Sequence, residues 1–298
     1  MDRDLALSII IVSWNVRNDL RACLESLRQN AEVPHQVIVI DNASRDDTVQ
    51  ILQADFPEVR LIANSDNRGF AAANNQGLQI AQAPFLMLLN PDTIVPAGGL
   101  LLLIDFANVH PEAGVIGPRL LNTDGSLQPS CRQFPTVWAA LFRHTIFGRW
   151  FPNVHWMREY LMCDWGHDEP REVDWLSGAA MLIRRAAYEQ VGGLDESFYW
   201  GSEDVDYCYR MHRAGWKVLY TPQPAITHAV GRSTDQVIIP TIIRTHRSMQ
   251  RLYTKHLARN PISRALVTVG IWVRAALLII TVWLRLNVLL PLKRRRQS

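Results

Sequence analysis

The sequence has few cysteines and little net charge. Four cysteines are spread over 298 residues without a paired spacing, at Cys23, Cys131, Cys163 and Cys208. This spacing predicts neither a disulfide framework nor a Cys-x-x-Cys zinc site, and it fits a reducing compartment. The 31 basic and 28 acidic residues leave a formal charge of +3. We therefore expect no nucleic-acid partner, although residues 293–296 form a short basic cluster near the end.

Other absent patterns narrow the possible functions further. No internal repeat and no low-complexity tract is visible, which excludes solenoid and linker-like architectures. No glycine-rich loop has the spacing of a P-loop. Cys163 and His167 are four residues apart, as zinc ligands on a helix can be, but no second pair supports such a site.

Hydrophobic residues make up 48% of the chain, enough for a large buried core. Apolar runs typical of buried strands alternate with segments of helical spacing. The predicted strands are 7–13, 37–40, 59–63 and 85–89. The first predicted helix contains Leu20, Leu24 and Leu27, which recur at helical spacing, and the next two are 48–56 and 71–82. This alternation predicts an α/β fold with a mostly parallel, doubly wound sheet.

Polar side chains follow each of the four predicted strands. Ligands of such sheets bind at the carboxyl ends of the strands, so residues there are candidate ligand-binding groups. These candidates are Ser13, Asn15, Asp41, Ser44, Asp66, Asn67, Arg68 and Asp92. Taken singly, each is also explained as a turn residue or a helix cap.

Two further groups can carry chemistry. Glu203, Asp204 and Asp206 crowd onto one helix start, where the helix dipole alone favours acidic residues. Their partly apolar surroundings also suit a general base. His228 can ligate a metal or contact phosphate, but an isolated histidine is more often structural.

Taken in order, these segments resemble the family-2 glycosyltransferases of the A-type fold, and most closely the bacterial rhamnosyltransferase-like branch. The resemblance covers about residues 7–233. The segments that carry it are 11–15 (IVSWN), 41–44 (DNAS), 67–71 (NRGFA), 90–92 (NPD), 175–179 (WLSGA), 193–195 (GLD), 203–206 (EDVD) with Arg210, 215–216 (GW), and His228 with Gly231 and Ser233.

The resemblance implies a role for each candidate residue. Ser13, Asn15, Asp41, Ser44, the Asp66–Arg68 loop and Arg210 would bind the donor nucleotide. Asp92 and His228 would hold Mg²⁺ or Mn²⁺ on the diphosphate. Asp204 would be the catalytic base, with Glu203 as its neighbour in the acceptor site. The family often has an aspartate where this chain has Asn90, so weaker binding of the cation is expected.

The implied activity is inverting transfer of a sugar, such as the deoxyhexose rhamnose, from a nucleotide-diphosphate donor to a lipid-linked or cell-envelope glycan. We expect a nucleotide-sugar-binding half at 1–120, an acceptor-binding and catalytic half at 121–235, and a helical membrane-associating extension at 236–298.

The C-terminal extension is strongly apolar over residues 264–292. Arg274, Thr281 and Arg285 fall on one face of a helix, which predicts an amphipathic helix lying in the plane of a membrane. A spanning helix, and a helix packed on the catalytic domain or across a homodimer, remain alternatives. The expected location is the cytoplasmic face of the bacterial inner membrane.

Two other functions are consistent with parts of the sequence. A sugar-phosphate nucleotidyltransferase also binds nucleotides on an α/β sheet, but no early glycine-rich loop with a basic residue is present to hold a triphosphate. A membrane-bound scaffold that has lost catalysis would not need Asp92, Asp204 and His228 together.

Overall fold

Alternating strands and helices build the first part of the chain. The structure is a computed structural model that describes residues 5–134, 155–229, 238–258 and 260–284. Its first elements are β1 (Leu7–Ser13), α1 (Arg17–Arg28), β2 (His35–Asp41), α2 (Thr48–Asp55), β3 (Arg60–Ala63), α3 (Phe70–Ile80) and β4 (Phe85–Leu89). The alternation predicted from the apolar pattern is confirmed.

These four strands are parallel neighbours in one sheet. β1 pairs with β2 on one side and with β4 on the other, while β3 pairs with β2. The chain thus builds outward from β1 in one direction and then crosses over to add β4 on the opposite side. Such a reversal opens a crevice beyond the carboxyl ends of the strands, here between β1 and β4.

The next part of the chain extends the same sheet. Its elements are β5 (Thr93–Ile94), α4 (Gly99–Val109), β6 (Ala113–Leu121), β7 (Leu127–Gln128), β8 (Cys131–Arg132), α5 (His155–Leu161), β9 (Arg171–Glu172), β10 (Trp175–Leu176), β11 (Ala180–Arg184), α6 (Arg185–Val191), α7 (Glu203–Arg213) and β12 (Lys217–His228). The main strand order is β3-β2-β1-β4-β11-β6-β12-β5. β11 runs antiparallel to both of its neighbours, whereas β12 is parallel to β6, so the sheet is largely parallel as predicted.

Apolar side chains pack on both faces of the sheet. Ile9 and Ile11 of β1 point into one cluster with α1 and α4, and Ile10 points into the other with α3 and α7. All three isoleucines are fully buried. Because successive side chains of a strand point to opposite faces, a continuous apolar run indicates a strand covered on both sides.

The segment from Trp175 to Ile183 contributes strands to two different sheets. β10 pairs with β8 in a separate two-stranded sheet, whereas β11 belongs to the main sheet. The residues between these strands, Ser177 to Ala179, therefore cross from one sheet to the other and reach the crevice.

The C-terminal extension contains two helices. α8 (Ile238–Leu252) continues into a π-helical turn (Tyr253–Leu257) and is followed by α9 (Pro261–Leu284). Val267 and Ile271 of α9 pack on Tyr253, so the helices form an antiparallel pair. By length and composition, α9 could cross a membrane over Pro261–Trp283, where its mean hydropathy is 2.2.

The polar face predicted for this last helix needs correction. Arg274 is only 9% exposed, and its guanidinium Nη1 lies 3.4 Å from Met249 Sδ of α8. The arginine does not line an outward charged stripe, because α8 covers it. Thr281 is exposed, and Arg285 lies outside the described residues. The outward face of α9 instead carries Ile262, Leu266, Val269, Val273, Leu277, Ile280 and Trp283.

Candidate active site

A cleft of about 250 Å³ opens at the crevice beside β1 and β4. Three kinds of group line it: residues that follow the parallel strands, the Ser177–Ala179 segment, and the start of α7. The lining side chains include Trp14, Asn42, Asn67, Phe70, Asn90, Asp92, Trp200, Glu203, Asp204 and His228. The cleft thus unites residues that are more than 200 positions apart in the sequence.

A recess that shares Trp14 and Asn67 with the cleft contains several predicted donor-binding residues. Its other lining residues are Asn15, Ala43, Ser44, Arg45, Ser65 and Asp66. The recess is therefore a lateral extension of the cleft past the ends of β1, β2 and β3. Arg68, in the same loop as Asp66, is exposed and contributes no lining atom to either cavity.

Hydrogen bonds between the loops fix the shape of this recess. The Ser44 hydroxyl accepts the Asn15 backbone N–H at 2.9 Å, and the Asn15 side-chain oxygen accepts the Arg45 backbone N–H at 2.7 Å. One carboxylate oxygen of Asp41 accepts the Ser44 N–H at 3.0 Å. Its other oxygen and the Ser13 hydroxyl are buried without a hydrogen-bond partner in the described part of the chain. Buried polar atoms without partners are costly and often mark a ligand site.

Asp92 and His228 lie together at the floor of the cleft. Asp92 Oδ1 is 3.3 Å from His228 Nε2, and the Asn90 amide nitrogen is 3.1 Å from the same ring atom. His228 Nδ1 is 2.7 Å from the Gln128 side-chain oxygen, which can only accept a hydrogen bond. In the neutral ring the proton therefore sits on Nδ1, and Nε2 has a lone pair beside Asp92 and Asn90.

This arrangement fits a divalent cation. A ring nitrogen whose partner N–H is held by an oxygen acceptor is the usual state of a metal-binding histidine. Hard cations commonly use one or two protein ligands together with substrate phosphates. The described residues contain no cluster of three or more acidic, histidine or cysteine ligands, so Asp92 and His228 alone would fill only part of a cation's coordination shell.

Glu203 and Asp204 form the opposite wall of the cleft. Gly201 and Ser202 both have positive φ angles, of 77° and 71°, and this reversal of the backbone starts α7 at the cleft. Asp204 accepts the Gly178 and Val205 backbone N–H groups. Glu203 is 7% exposed, and its Oε2 has no partner among the described residues.

The environment of these two carboxyl groups favours their protonated forms. Burial, followed by repulsion from Asp204, raises the pKa of Glu203 to about 8. Burial also raises the pKa of Asp204, although hydrogen bonds from backbone N–H groups oppose the shift. A carboxyl group with a raised pKa is a better proton acceptor once ionised, because its conjugate acid is weaker.

Arg210, a predicted donor-binding residue, lies away from the cleft. Arg210 donates to Asp206 at 2.9 Å and to the Val191 and Gly193 carbonyls at 3.1 and 2.7 Å. Its guanidinium therefore makes its hydrogen bonds to α7 and to the end of α6 and the turn that follows it. Arg210 is therefore not expected to bind the donor, because these hydrogen bonds occupy its guanidinium and it lines neither the cleft nor the recess.

Sequence reasoning missed some residues that shape the cleft. Gln128 sets the tautomer of His228 from 100 positions away, and nothing in its surroundings signals this. Tyr199 donates from its hydroxyl to the Asn67 carbonyl at 3.0 Å and so joins the loop before α7 to the donor side. Trp14 lies within the recognised segment 11–15 but was given no role, and Trp200 lies just before the segment 203–206; their aromatic character beside a strand end and a helix start was a usable signal.

Comparison with known proteins agrees with this architecture. Residues 8–159 match Glycosyl transferase family 2, and residues 165–231 match the N-terminal domain of galactosyltransferase. The N-acetylglucosaminyl-diphospho-decaprenol L-rhamnosyltransferase of Mycobacterium tuberculosis strain H37Rv is 32% identical over 253 residues, which cover 81% of this chain and 82% of that protein. Rhamnosyltransferase WbbL of Escherichia coli K12 is 28% identical, over 72% of this chain and 80% of its own.

A solved structure shows the same fold. The crystal structure of GalNAc-T7 with UDP, GalNAc and Mn²⁺ superimposes with a TM-score of 0.59 at 15% identity, covering 89% of this chain and 54% of that one. Half of the chain matches one family, and a relative above 30% identity spans four-fifths of it. The chain therefore belongs to glycosyl transferase family 2 and is an inverting glycosyltransferase with the A-type fold.

Proposed function

We propose that this enzyme transfers rhamnose from a nucleotide-diphosphate donor to a lipid-linked glycan of the cell envelope. The observation that carries the reaction type is the single cleft that joins the donor recess, the Asp92–His228 pair and the Glu203–Asp204 wall. The sugar and the acceptor are inferred from the two rhamnosyltransferase relatives, one of which is named for a diphospho-decaprenol acceptor.

The donor nucleotide occupies the recess beyond β1 to β3. The unpartnered Ser13 hydroxyl and Asp41 oxygen are buried at the ends of β1 and β2, behind residues that line the recess, and they would bind a ribose or base group that reaches them. Asn15 and Ser44 support the loops that bear them, Asp66 and Asn67 line the outer side of the recess, and exposed Arg68 follows them in the same loop. The diphosphate then extends past Trp14 and Asn67 towards Asp92, because these two residues join the recess to the cleft.

Asp92 and His228 would hold Mg²⁺ or Mn²⁺ beside the diphosphate. When bound, the cation neutralises the negative charge that grows on the leaving nucleoside diphosphate. Asn90 contributes an amide that contacts His228 and orients the ring. Asp92 therefore supplies the carboxylate at this site, and the diphosphate oxygens would complete the coordination.

Asp204 acts as the base. An acceptor hydroxyl between Asp204 and the anomeric carbon gives its proton to the carboxylate as its oxygen attacks. The bond between the anomeric carbon and the diphosphate oxygen breaks on the opposite face, and its electron pair leaves with the nucleoside diphosphate. The configuration is inverted because a single displacement occurs. Glu203 lies beside Asp204, where it contacts the acceptor.

The exposed apolar face of α9 supports association of the enzyme with a membrane. Seven large apolar side chains, from Ile262 to Trp283, lie outward on a helix whose polar residue Arg274 is turned towards α8. The basic residues 293–296 follow in the sequence and suit anionic lipid. We expect the lipid-linked acceptor at this surface and, because the donor is a nucleotide sugar, a reaction at the cytoplasmic side.

Product analysis tests this proposal. The full-length enzyme is incubated with Mn²⁺, a panel of nucleotide sugars that includes dTDP-L-rhamnose, and a synthetic N-acetylglucosaminyl-diphospho-lipid. We expect rhamnose on the lipid and release of nucleoside diphosphate, with both lost in Asp204→Asn. Release of pyrophosphate would identify a nucleotidyltransferase, and transfer of a different sugar would refute the rhamnose assignment.

A further inference from the structure

A buried carboxylate on the catalytic helix is bound by the C-terminal extension. Asp206 is fully buried on α7, two residues after Asp204. One of its oxygens accepts from Arg210 of its own helix at 2.9 Å. The other oxygen contacts Lys255 Nζ at 2.7 Å and His256 Nε2 at 2.6 Å, both from the π-helical turn. Two of its three side-chain partners therefore come from the C-terminal extension.

Lys255 also binds the segment of residues 195–204, which leads into the Glu203–Asp204 wall of the cleft. Its Nζ donates to Asp195 Oδ2 at 2.7 Å. Burial tends to raise the pKa of Asp195, but hydrogen bonds from Lys255 and Ser197 outweigh it and hold the pKa well below its ordinary value. One ammonium group thus joins the beginning of the segment, at Asp195, to the first turn of α7, at Asp206.

Neighbouring contacts strengthen the same junction. The His256 ring lies 4.2 Å from the Tyr209 ring of α7, measured between centroids. Leu252 packs with Phe198 and Val205 in a small apolar cluster. The extension therefore covers Phe198 before α7, Val205 in its first turn and Tyr209 in its second turn.

A second contact lies further along α8. The Arg244 guanidinium is 4.3 Å from the centroid of the Tyr199 ring, a cation–π geometry. Tyr199 in turn donates to the Asn67 carbonyl and packs against Gly69, where an added Cβ would lie 2.9 Å from the Tyr199 carbonyl oxygen. The extension therefore holds both ends of the segment that contains Trp200, Glu203 and Asp204.

We propose that Lys255 and His256 are positioning residues that hold the start of α7 so that Glu203 and Asp204 face the cleft. Residues 238–258 then belong to the catalytic unit and are more than a connection to the membrane helix. The catalytic part of this inference rests on the proposed function, whereas the structural part does not. The physical reason is that a fully buried carboxylate keeps a fixed position only while its cationic partners are present.

The test compares three full-length variants. Lys255→Met removes the ammonium group, Lys255→Arg retains a positive charge with several donors, and Arg247→Met is the matched control. Arg247 is exposed on α8 and has no hydrogen bond or ion pair to any residue that the structure describes, and its substitution removes the same charge. Lys255→Gln, which keeps a hydrogen-bond donor, replaces Lys255→Met if that variant does not fold.

Hydrogen–deuterium exchange gives the first readout and needs no substrate. In Lys255→Met we expect exchange in peptides covering 199–209 to rise at least about tenfold, because loss of the contact raises local opening. Peptides covering the donor segment 64–78 should exchange as in the wild type. Arg247→Met should match the wild type throughout, and Lys255→Arg should restore most of the protection.

Kinetics give the second readout. A displacement of the base by about 1 Å can cost on the order of 10²-fold, so kcat for rhamnosyl transfer should fall by about 10- to 100-fold in Lys255→Met. The Kd of UDP or dTDP with Mn²⁺ should stay within about twofold, a split that general destabilisation would not produce. Lys255→Arg should recover kcat to within about threefold.

The outcomes separate the two proposals. Unchanged exchange in 199–209 would overturn the positioning role, as would a kcat equal to that of the wild type. Parallel loss of kcat and nucleotide binding would also overturn it, because it would indicate a general folding defect. A wild type that transfers no rhamnose would refute the proposed function alone, and the exchange experiment would still decide the positioning role.

Discussion

Glu203 should lower the stability of the enzyme at neutral pH, and replacing it with glutamine should raise that stability. The carboxyl group is 7% exposed, one oxygen has no hydrogen-bond partner among the described residues, and Asp204 is its neighbour. Ionising it in the folded state is therefore unfavourable. Glu203→Gln preserves the size of the side chain and removes the charge.

The pKa shift sets the expected size and the sign of this effect. The pKa of Glu203 rises from 4.5 to about 8 on folding, so the folded state binds the proton more tightly than the unfolded state. The wild type loses stability as the pH rises above the unfolded pKa, and the loss levels off above the folded pKa. At about 1.4 kcal/mol per pKa unit, the penalty is about 1 kcal/mol at pH 5 and about 3 kcal/mol at pH 7.

Thermal unfolding of wild type and Glu203→Gln from pH 4.5 to pH 8 measures this penalty. At about 2–4 °C per kcal/mol, the variant should gain on the order of 6–12 °C in Tm at pH 7 and only about 2–4 °C at pH 5. Exposed Glu32 supplies the control, because Glu32→Gln should leave Tm unchanged at every pH. A Tm difference for Glu203→Gln that is absent, or that does not grow with pH, would refute the assignment of a buried, destabilising carboxylate.

Three further predictions concern the site and the membrane helix. Asp204→Asn should lower turnover by about 10²–10⁴-fold with little change in donor affinity, and near-normal turnover in steady-state kinetics would exclude it as the base. Asp92→Ala should abolish the Mn²⁺-dependent part of UDP or dTDP binding in calorimetric titration while far-UV circular dichroism stays unchanged, and cation-dependent binding that persists would remove Asp92 from the metal site. Val269→Asp combined with Val273→Asp, at positions 62% and 54% exposed, should leave Tm unchanged but prevent sedimentation with anionic liposomes. Equal sedimentation of this double variant and the wild type would show that the outward face of α9 does not contact lipid.

The strand-end residues of the site were accessible from the sequence because their positions follow from local patterns. A buried strand such as β1 is a continuous apolar run, and the polar residue that ends it must lie at the edge of the sheet. Asp41, Asp92 and Asp204 all lie at element ends that the pattern identified. The resemblance to a family then joined these separate ends into one site.

The residues that the sequence could not assign depend on distant partners. Arg210 was predicted to bind the donor, but it pairs with Asp206 one helical turn away and with carbonyls near α6. Arg274 was predicted to face outward, but α8 covers it. Both errors have the same cause, because a periodic pattern shows which residues share a face of a helix and does not show what that face packs against.

The sequence alone determined the order of the first four strands and their helices, the α/β class and the edge of the sheet where ligands bind, since these depend on local apolar periodicity and on the residues that end each element. Only the tertiary structure decided that β11 inserts antiparallel between β4 and β6, that Gln128 fixes the tautomer of His228, and that Lys255 and His256 hold Asp206. Each of these contacts joins residues that are far apart in the chain. Their formation depends on how whole elements pack, and no local pattern encodes it.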